Sequence, residues 1–170
     1  MYCAPCYATR GQLIGAPSGA AGVWQTVRLM REMIKGYRVN TQIIDSAISL
    51  IFLVPSKDDI AEVNAIFEYV RDSIRYTRDV YGIETLADPV TTLIRRVGDC
   101  DDKTTLFCAL CEAVGYPTRL VMAGYFGSKD FQHIYAQVWV NNQWIDADTT
   151  ESDPLGYAPP SPSVYWIEKV

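Results

Sequence analysis

The sequence has a single histidine, no cluster of lysine and arginine, and no apolar run long enough to cross a membrane. The apolar stretch Thr41 to Val54 is too short for a membrane span and has charged neighbours. With a formal net charge of −5, the chain also lacks the basic face typical of nucleic-acid binding. Residues 1–22 lack the continuous apolar core of a secretory signal. We therefore expect a cytoplasmic protein that binds neither membrane nor nucleic acid.

Internal repeats, glycine-rich phosphate loops and clustered metal ligands are also missing from the sequence. Disorder is not indicated, because 49% of the residues are hydrophobic and 21% are charged. A chain of 170 residues with this composition can bury a sizeable core. We therefore expect residues 1–170 to form a single domain that needs no cofactor.

The chain has five cysteines, and their odd number together with the missing secretory signal indicates a reducing compartment. Two Cys-x-x-Cys pairs, Cys3 with Cys6 and Cys108 with Cys111, could together form a four-thiolate zinc site. However, Cys108 and Cys111 lie within an apolar helical turn, where small buried thiols need no metal. The sequence therefore predicts no metal site.

Hydrophobic periodicity predicts helices in the first half of the chain and strands in the second. The predicted helices are 23–35, ended by Gly36; 41–54, a core helix ended by Pro55; and 57–75, with a capping signature at Ser56 and Asp59. Residues 76–92 are expected to be irregular, with Gly82, Asp88 and Pro89 as breakers. Strands are predicted at 118–125, 131–140 and 164–170, with a proline-rich surface segment at 152–163. Helices followed by an antiparallel sheet give an α+β fold.

The chain is organised around Gly98 to Leu106, where a cysteine opens a helix. Asp99 is a good N-cap and Asp102 stands where a capping-box acid belongs, so Cys100 is the first helical residue. The helix is predicted to run to Val114. A thiol at this end faces unpaired backbone N–H groups and the positive end of the helix dipole, which favour thiolate and could stabilise an oxyanion. A lone cysteine is more often a small core residue, so a nucleophilic role depends on what faces it.

The single histidine, His133, lies on a strand that continues into a hairpin. Asn141–Asn142 forms its predicted two-residue turn, because asparagine tolerates the positive φ that such turns require. The resulting register pairs Tyr135 with Asp148, which places Asp148 diagonal to His133 on the same face, about 7–8 Å away at the backbone. Asp146 shares that face but lies farther along. We therefore expect Asp148 to orient the histidine.

The segments GDCDDKTTLFCALCEAVGYPTRLV and HIYAQVWVNNQWIDADTT together resemble the transglutaminase-like superfamily of papain-related cysteine enzymes. That family has Gly-x-Cys at the start of its catalytic helix, then Gly-hydrophobic-Pro-x-Arg (here 115–119), a histidine at a strand start, and Trp-x-x-x-Asp-x-Thr (here 144–150). The resemblance implies a catalytic triad of Cys100, His133 and Asp148. It covers about residues 60 to 150 and departs from the family where Thr149 replaces the usual proline.

The resemblance also implies how the chain is divided and how it folds. A helical extension, 1–55, precedes a catalytic core of about 56–150, and 151–170 holds the proline-rich segment and the last strand. The catalytic helix is expected to pack on the antiparallel sheet. Tyr76 and Tyr81 could line the cleft or donate to an oxyanion, but tyrosines near helix ends more often simply pack.

The implied chemistry is attack of the Cys100 thiolate on an amide or ester carbonyl of a protein or peptide, which gives a thioester. Water as the acceptor gives hydrolysis, and an amine gives a transglutaminase-type cross-link. The domain is smaller than the calcium-dependent cross-linking enzymes of animals and closer to bacterial and phage-encoded members, which favours hydrolysis. The alternative is a structural or binding component with this fold and little catalysis, for example in a phage particle. The sequence does not determine the oligomeric state.

Two further expectations concern the geometry and charge of the site. Sγ of Cys100 should lie within about 4 Å of one ring nitrogen of His133, with Asp148 on the other. The three neighbouring aspartates should raise the pKa of the thiol, whereas the helix terminus and a protonated imidazole should lower it. We expect the imidazolium to dominate, so that thiolate forms well below the ordinary thiol pKa of about 8.5.

Overall fold

A computed structural model describes residues 20–55, 57–78 and 85–170 of the chain, which contain five helices and six strands. The helices are α1 (Ala20–Tyr37), α2 (Thr41–Ile51), α3 (Asp59–Ser73), α4 (Pro89–Arg95) and α5 (Cys100–Ala113). The strands are β1 (Arg75–Tyr76), β2 (Val97–Gly98), β3 (Thr118–Gly124), β4 (His133–Val140), β5 (Gln143–Ala147) and β6 (Val164–Lys169). None of the described helices is long and apolar enough to span a membrane.

The four later strands form an antiparallel sheet in the order β5-β4-β3-β6. One face of β4, with Ile134, Ala136 and Val138, is buried in the main core. The apolar residues of α5, Leu106 and Phe107 among them, belong to the same cluster and are fully buried. The predicted α+β class, with the Cys100 helix packed on the sheet, is therefore confirmed.

The hairpin between β4 and β5 has the predicted register. Asn141 and Asn142 both have positive φ, 50° and 62°, as a two-residue hairpin turn requires. Trp139 then pairs with Trp144, and the pairing continues to the end of β5. Because the register is fixed by the turn, every side chain of β5 faces the side of the sheet that the sequence predicts.

The first two helices differ from the prediction at their ends and in their burial. α1 continues through Gly36 to Tyr37, and α2 ends at Ile51 rather than near Pro55. The prediction that α2 is a core helix was wrong for most of its surface, because Ile43 and Ala47 are the buried residues among its 11. The apolar residues just beyond its end are exposed: Phe52 by 85% and Leu53 by 81%.

α3 starts two residues later than expected. Asp58 is its N-cap, and the Asp58 carboxylate accepts the backbone N–H of Ala61 at 3.0 Å. The predicted cap Ser56 lies outside the described residues. The buried residues of α3 are Val63, Ile66, Phe67 and Val70.

The segment predicted to be irregular contains a helix, α4, which the sequence analysis missed. Asp88 is its N-cap, accepting the N–H of Thr91 at 2.9 Å, and Pro89 is its first residue. Proline is well suited to that position because it needs no N–H partner there. Two of the residues interpreted as breakers, Asp88 and Pro89, therefore begin a helix, and Arg96 caps its C-terminal end with φ of 54°. Residues 79–84, including Gly82 and Tyr81, lie outside the described residues.

Candidate active site

Cys100 is the first residue of α5, as the capping pattern predicts. The Asp99 carboxylate accepts the backbone N–H groups of Asp101 and Asp102 at 3.0 and 3.1 Å. Asp102 in turn accepts the N–H of Ala87 at 2.7 Å, which ties the preceding segment to the helix start. The sulfur is thus placed by a short, well-anchored turn.

Gly98 is required for this turn. A Cβ added to Gly98 would lie 2.6 Å from the Cβ of Asp102, closer than real side chains approach. Gly98 is the last residue of strand β2, which pairs with β1 so that Tyr76 lies opposite Gly98. Because any larger residue at 98 would push against the first turn of α5, the glycine fixes where Cys100 sits.

His133 and Asp148 are joined directly. Nε2 of His133 lies 2.6 Å from Oδ2 of Asp148, whose side chain is buried. The other carboxylate oxygen accepts both the N–H of Thr150, at 3.0 Å, and its hydroxyl, at 2.6 Å. Burial alone would raise the pKa of Asp148, but the hydrogen bonds and the charge of His133 outweigh it, and the pKa is lowered. Asp148 therefore stays ionised and holds the imidazole by Nε2.

Asp146, the other acid on this face, has a different partner. The Asp146 carboxylate accepts a hydrogen bond from the side-chain NH2 of Gln137 at 2.6 Å. The side-chain oxygen of Gln137 accepts one from the Nε–H of Arg119 at the same distance. The guanidinium of Arg119 lies over the ring of Trp144, 4.2 Å from its centroid. The preference for Asp148 over Asp146 as the partner of the histidine therefore agrees with the structure.

Cys100 and His133 line one pocket of about 130 Å³. The hydrogen bond of the thiol is directed to the Asp101 carboxylate, with Sγ and Oδ1 3.5 Å apart. Since Asp148 occupies Nε2, the ring nitrogen that can serve the thiol is Nδ1. A contact of about 4 Å between Sγ and Nδ1 stays a prediction.

The thiol does not have the expected pKa shift. Burial is the largest influence and raises the pKa of Cys100 well above its ordinary value; the charges of Asp101 and Asp99 raise it further, and a hydrogen bond from the backbone of Ile134 lowers it. This is the opposite of the direction expected from the sequence. Cys100 is therefore a protonated thiol at rest near neutral pH, and a base must remove its proton during the reaction.

Part of the pocket wall comes from α1, a helix that the sequence predicts only to pack on the core. Val23, Thr26 and Val27 line the pocket together with Met122 and Phe131. No signal in the sequence separates Val23 and Val27 from the rest of the apolar stripe of α1, because they continue the same helical periodicity as Met30 and Ile34.

A buried lysine near the site was also missed. Lys103 is 2% exposed, and its Nζ donates to the carbonyl oxygens of Arg71 and Ile74 at 3.1 and 2.8 Å, at the end of α3. Burial lowers the pKa of Lys103 to about 8, partly offset by the charges of Asp72 and Asp148. A lysine on the buried side of an apolar helix is the signal that could have identified it.

Tyr76 borders the site from β1. Burial raises the pKa of its hydroxyl, and the charges of Cys100 and Asp99 add to the effect. Its side chain is nevertheless 44% exposed. Tyr81, the second tyrosine considered from the sequence, lies outside the described residues.

Two groups of residues are candidates for binding a metal ion. Ligand atoms of Asp99, Cys100 and Asp101 lie within 4.8 Å of one another, but the Asp99 carboxylate already caps α5. Cys108 and Cys111 are fully buried free thiols, and burial raises the pKa of each, which disfavours the thiolate that zinc needs. The other pair considered for a zinc site, Cys3 and Cys6, lies outside the described residues.

Comparison with known proteins gives a family and a fold. The model of the "Transglutaminase-like superfamily" matches residues 51–149. No curated protein sequence matches the chain. Among solved structures, Legionella pneumophila LapG in a calcium-bound form is 18% identical with a TM-score of 0.56, over 84% of this chain and 87% of that one.

Two other similar structures are longer proteins. A candidate cysteine protease from Cytophaga hutchinsonii is 19% identical with a TM-score of 0.52, over 75% of this chain and 50% of that one. A candidate protease from Parabacteroides distasonis is 13% identical with a TM-score of 0.60, over 85% of this chain and 32% of that one. The chain thus spans half the length of the first and about a third of the second, and at these identities the similarity shows the fold alone.

Proposed function

The chain belongs to the transglutaminase-like superfamily, and from this we propose that it is a thiol-dependent hydrolase that cleaves amide bonds of peptides or proteins. Cys100 is the nucleophile, His133 the general base and acid, and Asp148 the residue that positions the imidazole. One observation carries the proposal: the 2.6 Å contact between His133 and Asp148 stands at the same pocket as a cysteine that opens a buried helix.

The first half of the reaction forms a thioester. Nδ1 of His133 takes the thiol proton as Sγ of Cys100 attacks the carbonyl carbon. The tetrahedral intermediate then collapses, the C–N bond breaks, and the imidazolium gives its proton to the departing amine. Asp148 stabilises the imidazolium between these two transfers, as its buried, ionised carboxylate on Nε2 allows.

In the second half, water replaces the amine. His133 removes a proton from water, the hydroxide adds to the thioester carbonyl, and the C–S bond breaks to give a carboxylic acid. The thiol recovers its proton from His133. The raised pKa of Cys100 makes the general base essential, since few molecules carry a ready thiolate near neutral pH.

The oxyanion is expected to face the start of α5. Asp99 already accepts the N–H groups of Asp101 and Asp102, so these two are not available as donors. The backbone N–H of Cys100, beside Sγ, is the donor we assign to the oxyanion. Water rather than an amine is the acceptor that we propose.

The test compares two neighbouring aspartates. Asp148→Asn should lower turnover of a peptide library by up to about 10⁴-fold. The imidazole would no longer be held in the reactive tautomer, and it would lose the carboxylate that orients it. Asp146→Asn is the matched control, since Asp146 lies two residues before Asp148 but bonds to Gln137. It should stay within a few-fold of the unmodified protein. Equal losses in the two variants would refute the role of Asp148.

A second measurement separates catalysis from fold. An electrophilic thiol probe, with the labelled cysteine identified by mass spectrometry, gives the rate of Cys100 modification across pH. His133→Ala should change this profile and abolish turnover. An unchanged profile would show that His133 and Cys100 are not coupled.

The raised thiol pKa favours one competing function, a structural or binding domain with this fold. Such a domain would turn over no peptide, and Cys100 would react no faster than an ordinary buried thiol. The same labelling experiment therefore decides between the two functions.

A further inference from the structure

We propose that the pocket beside Cys100 selects the side chain of the residue whose carbonyl is attacked, and that α1 sets its size. The preferred side chain is aliphatic rather than acidic, and no larger than leucine. This proposal rests on the proposed function, because it assigns a substrate class to the same thiol.

The walls of the pocket determine the polarity of the side chain. Val23 and Val27 of α1 line it together with Met122 of β3 and Phe131. The hydroxyl of Thr26, the polar residue that α1 contributes, already donates to the carbonyl of Gly22 at 3.2 Å. Burial of an aliphatic side chain against these apolar residues is favourable.

Charge excludes acidic side chains. Asp99 and Asp101 line the same pocket as the thiol. A glutamate or aspartate side chain bound there would have to approach two carboxylates in a partly dry site, where like charges repel strongly. Neutral side chains avoid this repulsion.

The volume limits the size. The pocket measures about 130 Å³, and a cavity of about 150 Å³ takes one benzene molecule. A valine or leucine side chain therefore fits within it, whereas an indole would extend beyond it. Residues smaller than valine would leave part of the apolar wall uncovered.

α1 is held firmly enough to act as a wall. The ring of Trp24 packs edge-on against Phe131, with centroids 6.2 Å apart, and against Trp166 of β6, at 5.5 Å. An ion pair between Arg31 and Glu168, at 2.7 Å, fixes the helix one to two turns further on. α1 lies outside the residues 51–149 that match the family.

The test uses peptidyl acyloxymethyl ketones that differ only in the residue next to the electrophile: glycine, valine, leucine, phenylalanine, tryptophan or glutamate. Iodoacetamide, which has no side chain, reports the reactivity of Cys100 itself. In the unmodified protein the leucine probe should label Cys100 about ten-fold faster than the glycine probe, since one or a few methylene groups in an apolar pocket give discrimination of that order. The tryptophan and glutamate probes should be slowest.

Three variants of α1 test whether this helix sets the size of the pocket. Val23→Phe should fill the pocket and lower the leucine-to-glycine ratio about ten-fold, whereas Val23→Ala should enlarge it and raise the phenylalanine-to-leucine ratio several-fold. Gln25→Phe adds the same ring at an exposed position of the same helix and should change neither ratio. If Val23→Phe does not fold, Val23→Ala alone decides.

The outcomes are distinct. Normal labelling by iodoacetamide with a flat probe series, or with ratios that Val23→Ala leaves unchanged, overturns the pocket assignment and leaves the proposed function standing. A ratio that Gln25→Phe shifts as much as Val23→Phe does also overturns it. Failure of iodoacetamide to label Cys100 selectively, or labelling that His133→Ala leaves unchanged, removes the proposed function and the pocket assignment with it.

Discussion

Replacing Asp101 by asparagine should make Cys100 react faster. The Asp101 carboxylate accepts the thiol hydrogen bond at 3.5 Å, and its charge is the second cause, after burial, of the raised thiol pKa. Asparagine removes the charge but keeps the size, and its amide can donate to a thiolate. The change therefore favours the nucleophilic form of Cys100 without altering the backbone around it.

The magnitude follows from Coulomb's law. Two unit charges about 4 Å apart repel by about 1 kcal/mol in a water-like dielectric and by about 4 kcal/mol at an effective dielectric of about 20. Relief of 1 kcal/mol raises the thiolate population about five-fold. A more stable thiolate is a weaker nucleophile, which cancels about half of the gain on a logarithmic scale. Alkylation at fixed pH should therefore rise about two-fold at the least and about thirty-fold at the most.

The assay is the pseudo-first-order rate of iodoacetamide labelling of Cys100 at pH 7.5, read by mass spectrometry. Glu32→Gln removes an exposed carboxylate on α1 and is the control. The thermal unfolding of each variant shows whether the fold is kept. A folded Asp101→Asn protein that labels no faster than the control would refute the assignment of Asp101 as a cause of the high pKa.

Three further predictions concern stability. The pKa of Lys103 is lowered to about 8, so between about pH 8 and 10.5 the unfolded chain holds more protons on this group than the folded chain does. The free energy of unfolding in urea should therefore rise by up to about 1.4 kcal/mol per pH unit in this range. Lys103→Met should remove this rise. Asn142→Val should cost about 1–2 kcal/mol because a β-branched residue resists positive φ, seen as a Tm lower by about 2–8 °C, whereas Asn142→Gly should not lower Tm. The purified protein should contain no stoichiometric zinc and keep its Tm in a chelator; one zinc per chain, lost together with stability, would instead support a thiolate site that includes Cys108 and Cys111.

The features that could be predicted are those that a few adjacent residues determine. The N-cap at Asp99 places Cys100 by hydrogen bonds within one turn. The turn at Asn141–Asn142 sets the register of the hairpin, and from it follows the side of the sheet on which His133 and Asp148 meet. No long-range packing enters either step.

The features that could not be predicted depend on distant parts of the chain. The pKa of Cys100 is governed first by burial, which α1 and β4 create together, and a sequence pattern gives no measure of that burial. Val23 looks like any other apolar residue of α1 until the helix is placed beside the thiol. Pro89 was misjudged for a different reason, since the same residue that ends a preceding segment also begins α4.

The aromatic contact between Trp24 and Trp166 joins a helix near one end of the described chain to its last strand. During synthesis, residues of the N-terminal half leave the ribosome first and fold with what is available to them. α1 cannot gain its contacts with Trp166 and Glu168 until β6 has emerged. A partly synthesised chain would therefore carry Cys100 without a fixed pocket wall, and the proposed selection of a side chain would begin only when synthesis of the sheet is complete.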